Sequence, residues 1–293
     1  MATLAHISGV AIARTPDQLR QWLSAVRGQG KTVALVPTMG ALHAGHAALM
    51  QRAGQQADAV VASIFVNPMQ FGPNEDFSRY PRQLPADCAL CGENGVQIIY
   101  APDPATVYPA GFQTRVELTH LPTRWDGASR PGHFAGVATV VLKLLNVAQA
   151  DIAIFGEKDW QQLQVITQMA RDLDHITAIV GAPIVREADG LALSSRNVYL
   201  TADERRRAPA IQLALQELAA LAAAGERDVL NLQAILSKRI TDAGGRIDYA
   251  ALVDPQSLVP LVQLDRPARA LVAAWFGSPK LLDNCAIVPR AGV

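Results

Sequence analysis

The first 180 residues alternate between short apolar runs and longer segments with helical spacing, and this alternation limits the possible folds most strongly. Strands that alternate with helices pair in parallel, so we predict an α/β protein with a parallel sheet covered by helices on both faces. The predicted strands are 32–36, 59–66, 96–100, 151–155 and 176–180, and the predicted helices are 41–56, 132–150 and 158–173.

The pattern changes after about residue 185. Thr201-Ala-Asp-Glu204 is a capping box that predicts a helix running to about residue 224, and a second helix is expected over 228–243. Three strand-like stretches then follow without helices between them, which predicts a short antiparallel sheet. They are 247–253, 270–276 and 284–288. We therefore expect two domains, an α/β domain over 1–184 and a smaller α+β domain over 185–293.

Composition excludes several classes of protein. Half of the chain is apolar and 18% is charged, which excludes a disordered chain, and 26 basic residues balance 26 acidic ones. A protein that grips nucleic acid normally has a basic excess, so we expect no nucleic-acid partner. No apolar run approaches the ~18 residues of a membrane span, and the first residues do not resemble a signal peptide. We expect a cytoplasmic protein without a membrane partner.

Cys88-Ala-Leu-Cys91 has the spacing of a zinc or redox motif, but the chain has only three cysteines and no second pair to complete four ligands. Leu84 precedes this pair by four residues, so all three positions share one helix face. We predict that the two cysteines pack in a helix interface.

The segment from Pro37 to His46 follows the first predicted strand and carries two histidines three residues apart, His43 and His46. A glycine-containing turn from a strand into a helix attracts phosphate through backbone N–H groups and the helix dipole. A solvated pair of histidines and a metal site remain alternatives, although the segment has no Cys or carboxylate to complete a metal site.

Two further strand ends carry polar groups. Asn67 and Gln70 follow the second strand beside apolar residues, a mixture that suits a small polar ligand with an aliphatic body. Gly156-Glu-Lys-Asp159 places a cation at a helix start, where the dipole is already positive, and a bound anion would explain this. An ordinary Asn-Pro turn and a solvated surface cluster are the respective alternatives.

Ser194-Ser-Arg196-Asn197 lies near the expected domain boundary and combines two hydroxyls with a guanidinium. Such a group can clamp an anion, since arginine binds phosphate with two hydrogen bonds. A polar loop with an arginine ion pair is the alternative.

These segments, together with His133-Phe-Ala-Gly136, resemble in order and spacing the pantoate–β-alanine ligase family over essentially the whole chain. The resemblance implies a Rossmann-like N-terminal domain, a C-terminal domain acting as a lid, a homodimer, and ATP with Mg²⁺. It also implies that pantoate is joined to AMP with release of pyrophosphate, and that β-alanine then displaces AMP to give pantothenate.

The resemblance also implies site residues. It assigns to ATP Met39, Gly40, Ala41, Leu42, His43, Ala44, Gly45, His46, Gly156, Glu157, Lys158, Asp159, Val185, Leu193, Ser194, Ser195 and Arg196. It assigns to pantoate and β-alanine Pro37, Thr38, Met39, Asn67, Gln70, His133 and Gln162. Asp87 is the candidate magnesium ligand, and segment 71–82 is a second candidate lid.

Attack of one anion on another requires positive charge directed at the transition state, and four of these residues can supply it. The predicted catalytic residues are therefore His43, His46, Lys158 and Arg196. A nucleotidylyltransferase and a non-catalytic nucleotide sensor are competing interpretations. A dehydrogenase is set aside, because the first strand is not followed by Gly-x-Gly-x-x-Gly.

Overall fold

The computed structural model describes residues 4–73, 75 and 77–290, which form two compact units. The first unit runs to Glu157 and includes Gln161–Pro183, and the second combines Lys158–Trp160 with the residues from Ile184 onward. The domain division after residue 184 stays a prediction. The two compact units differ from the two predicted domains mainly at Lys158–Trp160, which belong to the second unit because they contact its strands.

The first unit contains a seven-stranded sheet in the order β1-β2-β5-β4-β3-β6-β7. All neighbouring strands are parallel except the β1–β2 hairpin at one edge, so the predicted parallel sheet is confirmed. The strands are β1 (Ala5–Ile7), β2 (Val10–Ala13), β3 (Val33–Thr38), β4 (Ala59–Ile64), β5 (Ile98–Tyr100), β6 (Ile152–Gly156) and β7 (Ala178–Ala182).

Helices connect these strands and cover both faces of the sheet. Helices α2 and α3 contribute to a buried cluster with alternate residues of the strands, whereas α1 and α6 contact each other and lie outside that cluster. The helices are α1 (Pro16–Arg27), α2 (Ala44–Gln56), α3 (Leu84–Glu93), α4 (Pro104–Val107), α5 (Trp125–Ser129), α6 (His133–Ala148) and α7 (Trp160–Asp172).

Cys88 and Cys91 lie fully buried in the cluster on α3, as the packing hypothesis predicts. Burial raises the pKa of the Cys91 thiol to about 12 and also raises the pKa of Cys88. Both thiols are therefore protonated and unreactive at neutral pH.

The second unit packs its two longer helices on a three-stranded antiparallel sheet of order β10-β9-β8. The antiparallel sheet is confirmed, but the single helix predicted from residue 201 to 224 is wrong. The capping box opens a short helix, and Pro209, which has no N–H to donate, separates it from the next. The elements are α8 (Ala202–Arg207), α9 (Ala210–Ala224), α10 (Val229–Asp242), β8 (Arg246–Val253), β9 (Ala268–Trp275) and β10 (Lys280–Ile287).

Across the described residues, every helix is too short or too polar to span a membrane.

Candidate active site

The site in the first unit lies where the strand order reverses. The chain passes from β3 to β4 and β5 on one side, and β6 later pairs with the other side of β3. The carboxyl ends of β3 and β6 carry Thr38 and Gly156. Ligands of open parallel sheets bind at such a switch point, so the Pro37–His46 segment and Gly156 occupy the expected position.

Asp87 holds the turn that follows β3. Its carboxylate oxygens accept from the backbone N–H groups of Ala41 at 3.1 Å and Leu42 at 2.8 Å. Asp87 is almost fully buried, with 1% of its surface exposed. Gly40 has φ +82° there, and a Cβ on it would lie 2.9 Å from Asp87 Oδ2. The turn therefore requires glycine next to a carboxylate. The structure thus shows Asp87 anchoring the backbone of this turn. Its role as a magnesium ligand stays a prediction.

His43 and His46 cap helix α2 through their Nδ1 atoms. Gly45 N donates to His43 Nδ1 at 3.1 Å, and His43 N donates to His46 Nδ1 at 3.3 Å. An Nδ1 that accepts carries no proton, so each neutral ring has its proton on Nε2. The ring centroids are 4.2 Å apart. The helix start therefore holds two adjacent imidazole N–H donors.

Asn67 and Gln70 form a buried amide pair after β4. Asn67 Oδ1 accepts from Met69 N at 3.2 Å and from the Tyr108 hydroxyl at 2.8 Å. Asn67 Nδ2 donates to Gln70 Oε1 and to Gly136 O, each at 3.1 Å. All four hydrogen-bonding positions of the Asn67 amide are occupied, so the structure gives Asn67 a positioning task. Its predicted contact with substrate stays a prediction.

His133 and Arg130 support the backbone of Gln70. Arg130 can only donate, so its Nη1, 2.9 Å from His133 Nε2, places the histidine proton on Nδ1, which donates to Gln70 O at 2.8 Å. Burial and the neighbouring Arg130 charge lower the pKa of His133 to about 4. Both ring nitrogens are used within the protein, which makes His133 a support for Gln70. Its predicted contact with substrate stays untested.

Glu75 completes this group with a bidentate ion pair to Arg130. Arg130 Nε donates to Glu75 Oε1 at 2.7 Å, and Arg130 Nη2 donates to Glu75 Oε2 at 2.6 Å. Burial opposes ionisation of Glu75, but the hydrogen bonds and charge of Arg130 outweigh it and lower the pKa of the carboxyl. Glu75 falls in the candidate lid segment 71–82, in which Asn74 and Asp76 lie outside the described residues.

The second unit brings together two of the predicted anion-binding segments. Lys158 and Ser194 line one cavity of about 10 Å³, enough for about one water molecule, and Asp283 lines it too. Ser194 caps the short helix Ser195–Tyr199 by accepting from Arg196 N at 3.3 Å. Leu193 N donates to Val185 O at 3.0 Å, which fixes the start of this segment.

The other assigned residues lie at the ends of these elements. Glu157 and Gln162 belong to the first unit, and Gln162 is half-buried on the first turn of α7. In the second unit, Asp159 Oδ1 lies 3.9 Å from Lys158 Nζ.

The sequence interpretation missed Tyr108, Arg130 and Glu75. Tyr108 bonds to Asn67, 41 residues away, and Arg130 pairs with Glu75, 55 residues away, so no local pattern marks these contacts. The sequence interpretation also did not foresee that Asp87 anchors the turn after β3, although an acidic residue in the first turn of a helix interacts favourably with the helix dipole.

The fold and the site define an α/β protein whose polar site lies at the switch point of a parallel sheet. The profile of the family described as Pantoate-beta-alanine ligase matches residues 11–286. The chain belongs to the pantoate–β-alanine ligase family, and it is an enzyme that joins pantoate to β-alanine.

Related proteins and solved structures are similar to this chain over nearly their full lengths. The chain is 53% identical to a pantothenate synthetase of Sphingopyxis alaskensis, covering 93% of this chain and 98% of the relative. The pantothenate synthetase of Thermus thermophilus has a TM-score of 0.90 at 45% identity, with 95% and 99% covered. The pantoate–β-alanine ligase of Francisella tularensis, solved with β-γ ATP and β-alanine, has a TM-score of 0.78 at 34% identity, with 94% and 97% covered.

Proposed function

We propose that this enzyme works in two steps through a pantoyl adenylate. A pantoate carboxylate oxygen attacks the α-phosphorus of ATP, and the bond to the β-phosphate oxygen breaks as pyrophosphate leaves. The β-alanine nitrogen then attacks the acyl carbon, loses a proton, and AMP leaves with the former carboxylate oxygen. A carboxylate is a poor acyl donor until its oxygen becomes part of such a leaving group.

The observation that carries this proposal is the pair of Nε2–H donors of His43 and His46 at the start of α2. These donors lie at the start of a helix and at the switch point of the sheet, where phosphate groups commonly bind. They can stabilise the negative charge that develops on phosphate oxygens in the transition state. The ligand-bound Francisella relative supports ATP and β-alanine as substrates of this chain.

Gln70 is proposed to bind pantoate through Nε2. Because its Oε1 accepts from Asn67, the amide can offer only N–H groups to a ligand, and these suit the carboxylate or hydroxyl oxygens of pantoate. Gln162 is proposed as the second pantoate contact, and Gln70 also serves β-alanine.

Lys158 and Arg196 are proposed to stabilise the phosphates, with Ser194 and Ser195 donating hydroxyl hydrogen bonds. The remaining residues of 37–46, 156–159 and 185–196 assigned above are proposed to line the same substrates. A C-terminal lid would exclude water from the labile adenylate.

Magnesium is proposed to arrive with ATP. Within residues 4–73, 75 and 77–290, no group of three or more His, Cys, Asp and Glu side chains could hold a metal ion. Mg²⁺ commonly binds through phosphates and water, so this arrangement suits a metal carried by the nucleotide. A homodimer and a cytoplasmic location are part of the same proposal.

The test is product analysis with ATP, pantoate and β-alanine. We expect AMP and pantothenate in equal amounts, and no AMP when pantoate is omitted. ADP and phosphate as products would contradict the adenylate, because they indicate an acyl phosphate. A nucleotidylyltransferase that stops at the activated product would form no pantothenate.

The matched variants are His46→Ala and His120→Ala. His46 lies at the proposed phosphate site, whereas His120 is exposed in the described chain. We expect a loss of AMP formation with the first variant only.

A further inference from the structure

Lys158 is tied to strand β10 through its backbone. Asn284 Nδ2 donates to the carbonyl oxygen of Lys158 at 2.9 Å, and Asn284 is 2% exposed. The bond connects positions 126 residues apart in the sequence. It fixes the main chain at the residue whose ammonium group is proposed to meet the phosphates.

Arg269 on β9 orients the amide of Asn284. Its Nε donates to Asn284 Oδ1 at 2.7 Å, so the amide nitrogen must point toward Lys158. The same guanidinium lies 3.7 Å from the centre of the Trp160 ring, and Trp160 Nε1 donates to Pro255 O at 2.8 Å. The segment Lys158–Trp160 is therefore held at both ends by other residues of the second unit.

Asp283, the neighbour of Asn284 on β10, holds Arg186, which precedes Ser194 by eight residues. Its carboxylate accepts from Arg186 Nη1 at 2.7 Å and Nη2 at 2.9 Å, and Arg186 also donates to Gly190 O at 3.0 Å. Successive side chains of a strand point to opposite faces, so the two residues can serve different segments. Asp283 also lines the cavity shared by Lys158 and Ser194.

We propose that Asn284, oriented by Arg269, is a positioning residue for Lys158 in the reaction with ATP. It contacts no substrate, and it acts by fixing the main chain from which the Lys158 side chain extends. This inference rests on the proposed role of Lys158 at the phosphates.

The test measures the kinetics of ATP, pantoate and β-alanine for the full chain and for Asn284→Ala. Asn231→Ala is the matched control, because Asn231 is exposed on α10 and its amide donates to Glu226 there. We expect kcat/KM for ATP to fall about tenfold in Asn284→Ala, the effect of one lost hydrogen bond to a group that must be precisely placed. The KM values of pantoate and β-alanine should stay at wild-type levels, as should all constants of the control.

Lys158→Ala and the double variant separate positioning from a general structural defect. If Asn284 acts through Lys158, the double variant loses no more activity than Lys158→Ala alone. Additive losses, or a normal Asn284→Ala beside an impaired Lys158→Ala, would overturn the positioning role only. Unchanged ATP kinetics in Lys158→Ala would overturn the phosphate role of Lys158, and the positioning role with it.

Arg269→Lys provides the same test if Asn284→Ala does not fold. Lysine keeps the positive charge but loses the Nε–H that orients Asn284. We expect the same ATP-specific loss, smaller in size. A fall in the kinetics of all three substrates together would contradict the proposal.

Discussion

The side-chain amides of Asn67 and Gln70 fix one another in a single orientation. Asn67 Nδ2 donates to Gln70 Oε1 at 3.1 Å, and Gln70 Nε2 then lies 3.0 Å from Met39 Sδ, at the end of β3. The hydrogen bonds from Met69 N and Tyr108 to Asn67 Oδ1 prevent the pair from reversing. The polarity that Gln70 offers to a substrate is therefore set by residues that need not touch it.

Asn67→Asp should reverse this polarity. A carboxylate at residue 67 would bring an oxygen against Gln70 Oε1, so the Gln70 amide must rotate and present its oxygen to pantoate. We expect kcat/KM for pantoate to fall about tenfold or more, with a smaller effect on ATP. Asn231→Asp, on the surface, is the matched control. Unchanged pantoate kinetics in Asn67→Asp would show that Gln70 does not recognise pantoate by donating.

Asp87→Ala should loosen the turn before α2. The N–H groups of Ala41 and Leu42 would lose their acceptor in a buried place, which costs about 1–3 kcal/mol of unfolding free energy for each unsatisfied group. We expect lower stability in denaturant unfolding and slower AMP formation. Asp103→Ala is the control, since Asp103 is exposed and makes no side-chain cap. An Asp87→Ala enzyme as stable as that control would contradict this role.

His133 should make the folded protein less stable in mild acid. Its pKa is about 4 in the folded chain against 6.5 for an ordinary histidine, so the unfolded state binds more protons between these values. Its contribution is complete above pH 6.5 and is lost as the pH falls toward 4. The loss between pH 6.5 and about pH 5 is about 2 kcal/mol.

The measurement is the unfolding free energy against pH for wild type and His133→Gln. The stabilising contribution of Glu75, whose pKa is lowered, is lost only at lower pH. The pKa of His175 is also lowered by burial, so the contribution of His133 is the difference between wild type and variant above about pH 5. We expect a flatter curve for His133→Gln, whereas His120→Gln should follow wild type. Equal slopes for wild type and His133→Gln would mean that His133 is not held neutral.

His46→Gln should keep most of the adenylation rate, and His46→Ala should lose it. Pyrophosphate is a good leaving group at neutral pH, so we expect His46 to hydrogen-bond phosphate oxygens without transferring a proton. A glutamine amide nitrogen can replace the Nε2–H donor that the structure assigns to His46. An equal loss in both variants, measured by pyrophosphate release, would favour obligatory proton donation.

The sequence predicted the central strands well, because their apolar runs are bounded by turn residues. It missed the β1–β2 hairpin and α1, although signals for both are present. Ser8 and Gly9 have φ +51° and +80°, as a tight hairpin turn requires, and Thr15 with Gln18 forms a capping box.

The site was predicted in part, since strand ends can be read from local pattern but their supports cannot. The His43–His46 segment lies where the alternation of strands and helices places it. The link between Glu75 and Arg130 spans 55 residues, and the link between Lys158 and Asn284 spans 126. Such pairs depend on tertiary packing, so their partners leave no periodic signal.

Exchange of labelled pyrophosphate into ATP, with pantoate present and β-alanine absent, tests the adenylate most directly. The two-step account predicts exchange that requires both pantoate and Mg²⁺ and that is lost in His46→Ala. Absence of exchange from folded protein supplied with Mg²⁺ would contradict a reversible adenylate formed before β-alanine binds.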